Sequence, residues 1–167
     1  MVFKTTADPF VGKLTYFRVM SGSVESGMTL YNMRAQSEER FTQLFTMRGK
    51  EQLNLERLHA GDLGAVAKLS VTLTGDTLCA KDHKLTLQGP VFPQPLYSVA
   101  VYPKTKGDTA KMGSTLTRVC EEDPTLHWHP EPTTHEMILS GMGDAHIDTV
   151  IRRMQARFGV NLDFRTP

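Results

Sequence analysis

Leu139-Ser140-Gly141-Met142-Gly143-Asp144-Ala145-His146-Ile147-Asp148 reads as the end of a buried strand, a glycine-hinged turn and the first turn of a helix. Two glycines one residue apart let the backbone take dihedrals closed to other residues and let another surface approach closely, so the turn is a candidate contact site. A turn of this kind also serves as plain structural punctuation, and the residues alone leave both readings open. Beyond it, Ile147, Val150, Ile151, Met154 and Phe158 recur at the helical period as one apolar stripe. His146 lies off that stripe, which predicts that His146→Ala leaves the fold intact. Gly159 stands where a left-handed C-cap is wanted. Asp144 and Asp148 near the helix start, with Arg152, Arg153 and Arg157 towards its end, agree with the helix dipole.

Working outward, Leu96 to Tyr102 is a strongly apolar strand, and Pro103 to Gly107 turns the chain into a helix whose expected N-cap is Asp108. Met112, Leu116, Val119 and Cys120 form its buried stripe, and Pro124 stops it. Leu126 to His129 and His135 to Leu139 read as a hairpin, and Val160, Leu162 and Phe164 as a last alternating strand. The order β-α-β-β-α-β predicts an α+β, ferredoxin-like domain with both helices on one face of the sheet and the other face left for a partner. Glu121 and Glu122 sit at a helix C-terminus, where the dipole disfavours negative charge; a local rule broken in this way hints at function.

Residues 1–80 have a different pattern. Gly12 to Met20, Met28 to Met33, Arg40 to Met47 and Leu63 to Leu69 are strand candidates separated by glycine, Asp-Pro and Ser-Gly turn signals, with no amphipathic helix. Such a run predicts a small all-β barrel, which removes exposed sheet edges. Lys81 to Pro95, punctuated by Pro90, Pro93 and Pro95, is the expected linker, residues 81–95, between this domain and a second over residues 96–167.

Composition narrows the function classes. The 167 residues are 40% hydrophobic and 22% charged, as in an ordinary globular protein. A net charge of +1 argues against holding nucleic acid by bulk electrostatics, so any RNA contact must come from local patches. Cys79 and Cys120 are the only cysteines and form no CxxC pair, which favours reduced thiols in the cytoplasm over a disulfide or zinc scaffold. No apolar run is long enough to span a bilayer. His127, His129 and His135 are the nearest approach to a metal set, yet no further ligand completes it, and no metal is expected. There is no GxSxG, HExxH or GxxxxGK[ST] element, so no catalytic residue is assigned and no guanine-nucleotide binding or hydrolysis is expected of this chain.

Two stretches carry a resemblance. Glu121-Glu122-Asp123-Pro124-Thr125 together with the opening stretch resembles domain III of bacterial elongation factor G, the ribosomal translocation GTPase. Thr6-Ala7-Asp8-Pro9-Phe10-Val11-Gly12-Lys13-Leu14-Thr15-Tyr16-Phe17-Arg18-Val19 resembles the opening of that family's domain II, a translation-factor β-barrel. Gly61-Asp62 and Thr74-Gly75-Asp76-Thr77-Leu78-Cys79 are similar to its closing strands.

The resemblance implies a fragment of a cytoplasmic translation factor acting in ribosomal translocation, whose two domains dock on the small subunit and relay the state of a GTPase. Implied partners are the ribosome, through small-subunit rRNA and ribosomal protein S12, and the GTPase and C-terminal domains of a parent protein. No membrane or DNA partner is implied. No cofactor is expected in this chain; GTP and Mg would belong to the parent's GTPase domain. The alternative is a stand-alone module that binds RNA or a ligand without a GTPase.

Carried over residue by residue, Asp8, Pro9, Phe10 and Gly12 would lie in the RNA-facing region, although Phe10 reads first as a barrel core residue. Gly141, Met142, Gly143, Asp144 and His146 correspond to the family's Gly-Met-Gly-Glu-Leu-His signature. Pro93, Pro95, Gly141 and His146 match positions that line its fusidic acid pocket. Asp144 replaces the usual Glu and Ala145 the usual Leu, which implies a divergent paralogue.

Overall fold

The computed structural model describes residues 1–8, 11–49 and 51–167. They form two compact units, Met1–Pro90 and Val91–Pro167.

The first unit is a β-barrel built from ten short strands. β1 (Val2–Asp8), β2 (Gly12–Arg18), β9 (Leu63–Ala67), β6 (Leu44–Arg48) and β7 (Glu51–Leu55) make one antiparallel sheet in that order. β10 (Leu78–Cys79), β4 (Thr29–Asn32) and β5 (Ser37–Arg40) make a second, and β3 (Ser23–Glu25) pairs with β8 (Arg57–His59). The barrel wall is therefore three sheets around a main core of Val2, Phe17, Val19, Leu30, Phe41, Leu44, Leu58, Val66 and Leu69, with a separate smaller cluster of Leu14, Phe45 and Ala65. Apolar burial holds these sheets together where strand pairing does not.

The run expected as one strand from Arg40 to Met47 is divided. Phe41 donates its N–H to the Met28 carbonyl and accepts from Gly27, while its ring is fully buried against Phe17. The chain leaves one ladder and joins the next at this anchor. Two polar knots fix the loop that follows β9. Glu39, itself buried, accepts from the N–H and hydroxyl of Ser70, the Val71 N–H, and the N–H and hydroxyl of Thr72. Asp76 accepts from Asn32 at 2.8 Å, Arg34 at 2.6 and 2.9 Å, and the Leu73 N–H at 2.9 Å. Burial alone would raise the Asp76 carboxyl, but these donors and the guanidinium charge hold it below the usual range.

The barrel unit continues past its last strand. The Leu87 N–H donates to Thr77 Oγ1 at 3.0 Å, and Lys84 lies 4.1 Å over the Tyr31 ring. Residues 81–90 thus pack on the barrel, and the second compact unit begins at Val91.

The second unit runs β11 (Tyr97–Pro103), α1 (Lys106–Glu122), β12 (His127–Pro130), β13 (Met137–Gly141), α2 (Asp144–Phe158) and β14 (Leu162–Arg165). Its antiparallel sheet has the order β12-β13-β11-β14, the ferredoxin-like arrangement. Val99, Val101 and Leu139 meet Met112, Leu116, Val119, Ile147, Val150, Ile151 and Met154 in one core, so both apolar stripes face the sheet as expected. The opposite face carries Ser98 and Ser140, whose hydroxyls are 2.8 Å apart, and Tyr102, which donates to Glu136.

Three local readings change. The N-cap of α1 is Thr105, not Asp108. Thr105 is extended and accepts from the Asp108 N–H, while Asp108 reaches back to the Thr105 N–H, a reciprocal capping box. Glu122 is paired across the helices with Arg157 at 3.0 Å, so the acidic end of α1 has a structural partner. His135 has φ 59° and sits in the turn before β13, which starts at Met137; His127 and His129 share the helix-free face. Among the described residues no His, Cys, Asp and Glu group could hold a metal.

At the far end of α2, Gly159 takes φ 63° and its N–H returns to Gln155, the expected left-handed cap. Among the described residues no helix is long and apolar enough to cross a membrane.

Candidate functional site: the glycine turn and its histidine clip

Gly141 ends β13 and is buried, and its carbonyl accepts the Leu96 N–H at 3.0 Å. A side chain there has no room. A Cβ would lie 2.9 Å from Ile147 Cδ1 and 3.1 Å from both His146 Nδ1 and Leu126 Cδ2. Gly143 differs, since its φ of 176° is open to any residue and a Cβ would meet nothing within 4 Å. From the sequence, the two glycines are expected to give unusual dihedrals and to let another surface approach. Neither takes a left-handed φ; Gly141 answers to packing, and nothing inside the unit requires Gly143.

His146 holds this turn from beneath. The Met142 N–H donates to His146 Nδ1 at 3.1 Å, which leaves the ring proton on Nε2, 3.0 Å from Asp123 Oδ2. Asp123 is the C-cap of α1, and its other oxygen accepts from the Thr125 N–H at 2.9 Å and hydroxyl at 2.6 Å. Burial alone would raise the Asp123 carboxyl, yet the Thr125 donors and His146 keep it below the ordinary range. Nearby, burial and then the Asp123 charge push the Cys120 thiol up to about 12, which keeps it protonated and inert.

The clip ties the end of α1 to the start of α2 and presents Met142, Asp144 and Ala145 outward. Met142 is 38% exposed. Asp144 is exposed and receives the Ala145 N–H at 2.7 Å.

This geometry revises the expectation for His146→Ala. The half-buried ring makes two hydrogen bonds that join separate elements. Its removal is expected to cost about 1–3 kcal/mol by the usual range for buried polar partners. Urea unfolding followed by Trp128 emission is the measurement; an unchanged midpoint would show the clip to be ornamental.

The other sequence-derived positions divide between the units. Pro95 lies one residue before Leu96, whose N–H joins the Gly141 carbonyl, so the chain carrying Pro93 and Pro95 is tied to the glycine turn at that point. Asp8 and Gly12 pair at the closed end of the β1–β2 hairpin, with Gly12 at φ 87°, where glycine is favoured. Pro9 and Phe10 lie outside the described residues. Asp123 was missed as a site residue, although an Asp before a proline at a helix end is a capping signal.

Comparison with known proteins now decides the family. Residues 1–81 match the family described as Elongation factor G domain 2, and residues 92–166 match Elongation Factor G, domain III. The chain carries elongation factor G domains II and III. Over its full 167 residues it is 42% identical to "Elongation factor G" of Cytophaga hutchinsonii and 41% identical to "Elongation factor G 2" of Syntrophomonas wolfei. In each case it spans 24% of the relative's length. A crystal structure from Thermus thermophilus superposes with a TM-score of 0.86 at 30% identity, covering 98% of this chain and 25% of that one. The barrel is thus elongation factor G domain II and the ferredoxin-like unit its domain III, and the chain is similar to a translation elongation factor.

Proposed function

We propose that these two domains act in ribosomal translocation, docking on the small subunit through rRNA and ribosomal protein S12 and relaying the state of a GTPase domain. The observation that carries this reading is the domain III turn, an exposed backbone held rigid from below. A Cβ at Gly143 would meet nothing within 4 Å, and neither its dihedrals nor packing within the unit call for glycine. Its lack of a side chain is useful when an outside surface presses on it. His146, Asp123 and the crowded Gly141 fix the position of that backbone. A preorganised contact of this kind loses little entropy on docking.

Asp8, Pro9, Phe10 and Gly12 of domain II are proposed as a second contact, to RNA. Pro93, Pro95, Gly141 and His146 are proposed to border the space against a GTPase domain in which a drug such as fusidic acid would lodge. The shorter Asp144 and smaller Ala145 reduce the fit there. GTP and Mg chemistry is assigned to a GTPase domain, which neither matched region is, and this chain is assigned no enzymatic step. The setting is the cytoplasm.

Co-sedimentation with ribosomes across a salt series tests the reading. Saturable binding that weakens with salt is expected, as a contact to phosphate requires. Gly143→Val is expected to keep the wild-type unfolding midpoint and to weaken binding by about tenfold, the equivalent of one lost close contact. Pelleting no greater than that of an unrelated two-domain protein would remove docking from these domains. Equal binding by Gly143→Val would remove the turn from the contact.

A further inference from the structure

The barrel holds a cavity that the ribosomal reading does not use. It has a volume of about 410 Å³, within the range of small-molecule sites. Its accessible apolar lining is the exposed Met20 and Leu85 with the half-buried Val24, Met28 and Leu87, over the closed core of Phe17, Leu30 and Phe41. Cys79 stands in one wall as a free, half-buried thiol. Around the mouth there is a guanidinium and no carboxylate. Arg18 and His83 line it, and Arg18 has no acidic partner among the described residues. His83 has only a long 3.7 Å contact to Asp82, with both side chains exposed.

An apolar chamber with an unpaired guanidinium at its entrance selects a ligand with an apolar body and an anionic head. We propose that domain II binds a small amphiphilic carboxylate, its hydrocarbon part on Met20, Met28 and Leu85 and its carboxylate on Arg18. Arg18 lies at the end of β2 on the face away from the buried Phe17, and Met20, two residues on, is exposed and lines the same cavity. The guanidinium fork suits a carboxylate better than a neutral head of the same size.

Alkylation of Cys79 by iodoacetamide provides the test, using the full chain with decanoate as the probe and decanol as its uncharged counterpart. Cys120, whose buried thiol resists ionisation and which lies in the other unit, stays unlabelled, so the label reports Cys79 alone. Decanoate is expected to slow Cys79 alkylation about tenfold at saturation. Decanol is expected to need about tenfold higher concentration for the same protection, the usual loss for one charge-assisted pair.

Arg18→Gln, an exposed substitution that leaves the core intact, is expected to bring decanoate down to the level of decanol. Val24→Phe, which narrows the cavity from the β3 wall, is expected to abolish protection by both probes. The proposal is overturned if millimolar decanoate fails to protect Cys79. It is equally overturned if decanol protects as well as decanoate and Arg18→Gln changes neither.

Discussion

Glu39→Ala is expected to destabilise the barrel by on the order of 4 kcal/mol. Thr72 is fully buried, and both its N–H and its hydroxyl donate to Glu39. Each donor left without an acceptor costs about 1–3 kcal/mol. The Ser70 and Val71 donors turn to water more readily, because those residues are exposed. Glu39→Gln keeps one acceptor oxygen and is expected to lose about half as much. Urea unfolding followed by circular dichroism separates the two variants. Equal midpoints for Glu39→Ala and the unaltered protein would show that the Ser70 to Thr72 loop holds itself, leaving the carboxylate without a structural part.

In the second unit the largest loss is expected from Leu116→Ala. Leu116 is fully buried at the centre of the α1 stripe, between Val99 and Val101 of the sheet and the stripe of α2. Truncation at such a site costs about 2–5 kcal/mol, through lost transfer energy and the cavity left behind. Leu116→Met, which conserves volume, is expected to cost less than about 1.5 kcal/mol. Trp128, the chain's single tryptophan, packs against this core and reports the transition directly. A loss in the methionine variant equal to that in the alanine variant would mean that shape, rather than filled volume, sets the stability of domain III.

The helices of domain III were legible because their signal is local. A stripe such as Ile147, Val150, Ile151 and Met154 states both the element and the face it buries. The capping box of α1 was equally local, since Thr105 and Asp108 stand three apart, but weight on the acidic residue alone put the cap three residues late. The barrel strands were legible in part. Phe41 looks like a strand residue by type, and only its contacts with Gly27, Met28 and Phe17 show that it divides two strands.

At the candidate site the glycines were visible and their reason was not. Whether a glycine answers to dihedral or to space depends on neighbours such as Leu126 and Ile147, which no local pattern places beside Gly141. His146 and Asp123 are 23 residues apart, so their bond is a product of α1 and α2 packing and has no sequence period to announce it. The Glu39 knot spans 31 to 33 residues and was hidden for the same reason.

The strand order of domain III carries a mechanical consequence. β11 and β14 are antiparallel neighbours with Ala100 opposite Arg165, so the strand that enters the unit and the strand that leaves it have their free ends on the same side. A force drawing those ends apart would load the β11–β14 ladder one hydrogen-bonded pair at a time, as a zipper opens, instead of shearing all pairs together. The fold thereby offers little resistance to tension applied through its own ends. It resists compression far better, because pushing the ends together only closes the ladder onto a filled core.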